Sequence, residues 1–333
     1  MGLIGAGRMG RVFAQTLAYT VAEVDLVAVA DANAQTSAEV AAHFHVPHHY
    51  GDYRELLKRE DIDAVVVVTP TATHAEVIAA AAAAGKHIFS EKPLAQTLSE
   101  CDAAIQAVER SGVKLQLGFM RRFDAGYRMA KQKIEEGLIG TPVMFHAASR
   151  DPKRTSLEFA RRENSGGLIM DMGVHDFDLA RWLMGSEVVR TYSEGGCLVY
   201  PELNEVGDID NALINLKFAN GALGAIDLSR NAVYGYDIRT EVLGSEGSLL
   251  IGTLQQTPTL MLTRAGVTHD TVPYFMERFG EAYANEIRDF VTCLIEDRPP
   301  SVDAYDARKA TAIGVAATLS LDEGRPVSLD EVQ

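Results

Sequence analysis

The chain has 333 residues, a formal net charge of -15 and 47% hydrophobic residues. That length predicts two domains, and that apolar content excludes a disordered chain. No run of Lys and Arg is present, which excludes a phosphate backbone as partner. The three cysteines, Cys101, Cys197 and Cys293, lie far apart without metal or disulfide spacing and fit a reducing cytoplasm. The longest apolar runs, 64–68 and 77–84, are too short to cross a bilayer, and no signal-peptide pattern opens the chain.

Residues 1–4 already read as a strand, short by a few residues, so the start of the protein is expected slightly upstream. GAGRMG follows at residues 5–10 and opens a helix over 8–19. In this GxGxxG pattern Gly5 permits a tight turn, Gly7 lets the backbone approach a pyrophosphate, and Gly10 lets helix and strand pack closely. Alone the pattern is equally an ordinary glycine turn; its context between strand and helix favours dinucleotide binding. A second strand, 24–30, ends at Asp31, about 20 residues past the last glycine. Asp31 can accept bonds from ribose hydroxyls and would repel a 2′-phosphate. No basic residue follows it in DANAQ, so NAD is expected over NADP. The alternative is that Asp31 only starts a turn.

A helix is expected over 33–44. The segment HFHVPHHY, with His43, His45, His48 and His49, joins a helix end to a strand start. It lacks a carboxylate or Cys at ligand spacing and reads as a solvated connection, not a metal site. Residues 64–68 form a wholly apolar strand, the mark of the middle of a parallel sheet. TPTATH ends that strand, placing Thr69, Pro70, Thr71 and His74 where ligands bind such sheets. Thr71 or Thr73 could instead cap the helix expected over 73–84. The strand 87–90 runs into SEKP, where Lys92 is held before Pro93, a peptide bond open to the cis form. A Lys there is either catalytic or solvated. A helix over 98–110 and a strand over 113–118 complete a βαβα order, which implies a doubly wound parallel Rossmann sheet over 1–119.

From residue 120 to 333 the pattern changes to an α+β domain with a large, mostly antiparallel open sheet. Ile214, Leu216 and Phe218 alternate with Asn215 and Lys217, the period of a sheet with one buried face. Strands over 222–229 and 238–243 read similarly, and helices are expected over 125–137, 169–183, 282–295 and 304–321. The segment SGGLIMDMGVHDFDLARWL, residues 165–183, places Asp171, His175 and Asp178 at i, i+4 and i+7, one face of an otherwise apolar helix. A buried polar network and general acid–base work are equally open readings. A zinc site lacks a second ligand pair.

GAGRMG, TPTATH, SEKP, GFMRRFD and GGLIMDMGVHDFD, in this order, resemble the Gfo/Idh/MocA oxidoreductase family along nearly the whole chain. YGYDIRTEVLGSEG (234–247) and ERFGEAYANEIRDF (277–290) resemble its inositol dehydrogenase branch. The resemblance implies NAD-dependent oxidation of a cyclitol, myo- or scyllo-inositol, to the ketone. It makes His175 the base, Asp171 its partner and Lys92 the stabiliser of the alkoxide. Arg121, Asp151, Asp178 and Tyr236 become substrate contacts. Arg8 and Met9 of the glycine loop, the TPTATH residues, Glu91 and Lys92 join the cofactor site. Asp151 stands where a myo-inositol enzyme that the chain resembles has Asn. An Asp only accepts hydrogen bonds, which leaves the epimer or sugar open. The alternatives are an aldose dehydrogenase, an NAD-using glycosidase and a ligand sensor. The resemblance also implies a homotetramer or dimer; Leu213, Leu243 and Ala225 would make the second sheet face partly apolar.

Overall fold

The computed structural model describes residues 1–332. The chain forms two compact units. One holds residues 1–120 and 281–311; the other holds 121–280 and the stretch from 312 onward. The expected single division after residue 119 therefore omits a return of the chain, because two long C-terminal helices each span a boundary between units.

In the first unit the order is β1 (Gly2–Ile4), α1 (Arg8–Tyr19), β2 (Ala28–Ala30), α2 (Ala34–Phe44), β3 (His48–Tyr50), α3 (Tyr53–Leu57), β4 (Ala64–Val67), α4 (His74–Ala83), β5 (His87–Glu91), α5 (Leu98–Ser111) and β6 (Leu115–Gly118). The six strands pair in the order β3-β2-β1-β4-β5-β6, parallel throughout. This is the doubly wound arrangement in which ligands bind beyond the carboxyl ends of the strands. β4 is buried along its whole length, as its unbroken AVVV requires. Strand β2 is shorter than its apolar run. Asn33 caps α2 by accepting from the amides of Gln35 and Thr36, and Thr97 with Glu100 forms a capping box on α5.

The second unit contains α6 (Ala125–Glu135), β7 (Pro142–Arg150), the short helices α7 (Leu157–Ala160), α8 (Arg162–Ser165) and α9 (Gly167–Asp171), then α10 (Gly173–Met184), β8 (Val188–Gly196), β9 (Asn211–Phe218), β10 (Leu223–Ser229), β11 (Asp237–Gly244) and β12 (Ser248–Ile251). A separate hairpin of β13 (Met261–Thr263) and β14 (Gly266–Thr268) follows, then α11 (Phe275–Ile295), α12 (Ala304–Glu323) and β15 (Val327–Ser328). The large sheet runs β12-β11-β7-β10-β9-β8-β15. Only β7 and β10 pair in parallel, so it is mixed but mostly antiparallel. Along β9 buried and non-buried residues alternate, as the period-2 pattern predicts.

The helix expected over 169–183 is interrupted. It breaks at Met172 into α9 and α10. Gly173 sits at the break, and a Cβ there would lie 3.0 Å from the Phe177 ring and 3.1 Å from Leu228. The close packing that Gly173 allows comes at a position of poor helix propensity. Asp171 therefore ends one short helix while His175 and Asp178 belong to the next. Among the described residues no helix is long and apolar enough to cross a membrane.

Candidate active site

In the first unit the glycine loop is built as its sequence requires. Gly5 has φ +99°, and a Cβ on it would lie 2.5 Å from the Val68 carbonyl oxygen. A Cβ on Gly10 would collide with the Gly5 carbonyl. Gly7 has open space where its side chain would be, and it precedes α1 without a side-chain cap. The free amides at the start of α1 therefore face a position open to an anionic group. Arg8 is exposed there and Met9 is half-buried.

Asp31 stands directly after β2 and joins this loop. Its Oδ2 accepts from the Ala6 amide at 2.8 Å and its Oδ1 from the Asn33 amide at 2.9 Å. Asp31 turns the chain, and its carboxylate is half-exposed. An open glycine, uncapped amides and a fixed carboxylate fit a dinucleotide.

After β4, the Thr73 hydroxyl turns back to the Pro70 carbonyl at 2.8 Å and lies 2.9 Å from the Thr69 hydroxyl; it does not cap α4. Thr69 and Thr71 are half-buried and Pro70 is exposed. His74, expected to contact the cofactor, braces two loops. It is 1% exposed, with Nδ1 2.8 Å from the Pro93 carbonyl and Nε2 2.8 Å from the Thr69 carbonyl. Burial pushes its pKa down, while two carbonyls at donor distance pull the other way. The Lys92–Pro93 bond is cis, and Lys92 is half-buried.

Glu91 lies in the core below Lys92. Its Oε2 accepts from the Lys92 amide at 3.1 Å. Burial pushes its carboxyl up to about 7, against the pull of Lys92. Glu286 on α11 is fully buried, and neither of its carboxyl oxygens has a hydrogen-bond partner. Burial, with Glu91 adding to it, raises it well above the carboxylate range.

In the second unit His175 lies in the first turn of α10, 7% exposed. Asp171, at the end of α9, is met by Arg230, whose Nη2 stands 3.2 Å from Oδ2. Arg121 donates from Nη1 to Asp176 at 2.7 Å and to the Ser149 hydroxyl at 3.1 Å. Burial pushes the Asp176 carboxyl up, against the pull of Arg121 and Ser149. Asp178 is 1% exposed. It holds Arg122 through both oxygens, and that guanidinium lies over the Trp182 ring at 5.7 Å. Asp178 is thus inside the protein with both oxygens engaged, not on an open face.

Asp151 follows β7. Its amide donates to the Ser229 carbonyl and its carbonyl accepts from Ala232, so it sits at the shared carboxyl end of the parallel pair β7 and β10. The Tyr236 ring meets Tyr274 at 5.8 Å and Phe279 at 6.3 Å, edge to face. Burial pushes its hydroxyl up; Arg121 pulls it down and Asp151 pushes further up. Arg121, Asp151 and Tyr236 therefore share one neighbourhood, and it can present both donors and acceptors.

Asp176, Arg122, Arg230 and Glu286 were not singled out from sequence. A usable signal existed for Glu286: it sits between Tyr283 and Phe290, three and four residues away, on the apolar stripe of α11. The four histidines of HFHVPHHY are exposed or half-buried. Among the described residues no three metal-binding side chains come together.

Comparison with known proteins gives this geometry its context. Residues 1–119 match the model of the oxidoreductase family NAD-binding Rossmann fold, and residues 131–329 match that family's C-terminal alpha/beta domain. The chain belongs to the Gfo/Idh/MocA oxidoreductase family. Similar Gfo/Idh/MocA proteins include the scyllo-inositol 2-dehydrogenase (NAD(+)) of Bacillus subtilis, 40% identical over 98% of this chain and 95% of that protein. The myo-inositol 2-dehydrogenase of Thermotoga maritima is 38% identical over 100% of this chain and 99% of that protein. Among solved structures, scyllo-inositol dehydrogenase from Lactobacillus casei with bound NAD(H) and scyllo-inositol superposes with a TM-score of 0.94 at 30% identity, covering 99% of this chain and 98% of that one. The family's cofactor is NAD, and the glycine loop and Asp31 are the residues that would hold it.

Proposed function

We propose that this protein is an NAD-dependent inositol dehydrogenase that oxidises one ring hydroxyl of a cyclitol to a ketone. What carries the reading is similarity over essentially the whole chain to proteins named for that activity, in a sequence that keeps both Lys92 and His175. Bound NAD supplies the hydride acceptor. His175 takes the hydroxyl proton as the carbon loses hydride, and Asp171 orients the imidazole and stabilises its cationic form. Lys92 donates a hydrogen bond and positive charge to the oxygen as negative charge builds on it. Arg121, Asp151 and Tyr236 meet the remaining hydroxyls, each of which needs a partner once desolvated. Asp178 acts from behind them through Arg122. Glu91 supports the cofactor side by fixing the Lys92 backbone.

Purified protein incubated with NAD and a panel of myo-inositol, scyllo-inositol and D-glucose tests this. NADH absorbance is expected with a cyclitol. Activity confined to glucose, or no NADH with any polyol, overturns it.

The proposal extends to a cytoplasmic homo-oligomer joined through the outer face of the large sheet. Met144, Leu223 and Leu243 lie in one cross-strand row and are all exposed, and Leu213 on the same sheet is 61% exposed. Light scattering after size exclusion measures the assembly, and charged substitution at Leu223 and Leu243 is expected to reduce its mass.

A further inference from the structure

Arg230 follows β10 and is 0% exposed. Its Nη2 stands 3.2 Å from Asp171 Oδ2 and 4.0 Å from Asp208 Oδ2. Its Nε and Nη1 have no hydrogen-bond partner. A fully buried guanidinium with two of its three nitrogens unused contributes little to stability, since desolvating the charge costs several kcal/mol and the contacts to Asp171 and Asp208 offset that only in part. A neutral side chain of similar volume would pack here at lower cost, so the cation has another use.

The surroundings indicate that use. The Arg230 amide donates to the Asp210 carbonyl, while the Asp210 carboxylate accepts from the amides of Leu198, Val199 and Tyr200. Asp208 accepts from the Leu168 amide at 2.8 Å, at the start of α9. These backbone contacts fix Asp208 and Asp210 in place. Asp171, 21% exposed at its side chain, is the last residue of α9, directly before the break at Met172. Arg230 reaches it from the fixed side.

We propose that Arg230 is a positioning residue for the dehydrogenase reaction, holding the Asp171 carboxylate in the orientation from which it serves His175. This rests on the roles given to Asp171 and His175 above. Arg230 touches neither substrate nor cofactor in this scheme; it acts through Asp171 alone.

The test is a double-mutant cycle of Arg230→Met and Asp171→Asn, with His175→Ala alongside. In the wild-type background Arg230→Met is expected to lower kcat by about 10- to 100-fold, with NAD affinity by fluorescence titration within about twofold. Arg230→Lys should retain more activity than Arg230→Met. In the Asp171→Asn background, adding Arg230→Met should leave kcat unchanged within about threefold, because the residue through which Arg230 acts is already lost. Asp171→Asn/Arg230→Met removes both members of the closer pair and takes a cation neighbour only from Asp208, 4.0 Å away, so that comparison remains available if Arg230→Met alone does not fold. A further loss of tenfold or more in the double variant overturns the inference. So does a folded Arg230→Met with wild-type kcat. Retention of activity by His175→Ala would instead overturn the underlying assignment of the base.

Discussion

Asp178 and Arg122 form a two-point ion pair inside the second unit, Oδ2 with Nε at 2.8 Å and Oδ1 with Nη2 at 2.5 Å. Both residues are at least nine-tenths buried. Removing one partner of such a pair leaves an uncompensated buried charge, whereas removing both does not. Arg122→Met is therefore expected to destabilise the protein by about 3–5 kcal/mol, and Arg122→Met/Asp178→Leu should recover most of that loss. Urea unfolding of the three proteins measures it. A double variant as unstable as the single one contradicts the pairing.

Glu91 and Glu286 give a pH dependence of defined sign. Both titrate higher in the folded protein than in the unfolded chain, Glu91 moving from 4.5 up to about 7. Between those values the folded state binds more protons, so this contribution is full below about pH 4.5 and is lost as pH rises through about 7. Glu286→Gln stays neutral throughout. Its stability relative to wild type should rise by about 1–3 kcal/mol between pH 5 and pH 8. Thermal melts at the two pH values decide it, and a difference that stays constant or shrinks with pH rejects the assignment.

Asp31 discriminates between cofactors by charge. Asp31→Ser removes the carboxylate that would repel a 2′-phosphate, so the ratio of kcat/KM for NAD to that for NADP should fall at least about tenfold. Because Asp31 also accepts from the Ala6 amide, kcat/KM with NAD itself should fall too. An unchanged ratio would remove Asp31 from the cofactor site.

Lys92→Met and His175→Gln separate chemistry from cofactor binding. Each should lower kcat by about 10²-fold or more, while the dissociation constant for NAD stays within about threefold. Stopped-flow single turnovers would show the loss in the hydride-transfer step. A loss confined to NAD affinity would reassign the residue.

Much of the first unit was legible because its signals are local. An all-apolar β4 and the glycine loop between β1 and α1 each act within a few residues. β7 and β8 were not read. His146-Ala147-Ala148 and Glu194-Gly195-Gly196 interrupt the alternation, and these strands are held by their pairing neighbours more than by propensity. The row Asp171, His175, Asp178 was visible as spacing, but its meaning depends on long-range partners. Arg122 and Arg230 come from 56 and 59 residues away, and no periodicity reports them. The break at Met172 was hidden for a similar reason, since Gly173 answers to Leu228 on a distant strand.

The return of residues 281–311 to the first unit bears on how the protein is made. Tyr283 covers Phe13 at 6.0 Å, Phe290 covers Phe89 at 5.9 Å, and the Leu117 amide donates to the Val302 carbonyl. A ribosome that has released only the first 120 residues has produced every strand of the parallel sheet but not the helix that shields these rings. At about 5–20 residues per second, the nascent sheet waits on the order of ten seconds or more for that cover. The nucleotide-binding half is synthesised first and completed late, and cutting the gene after its sixth strand would yield an exposed, aggregation-prone fragment in place of an autonomous module.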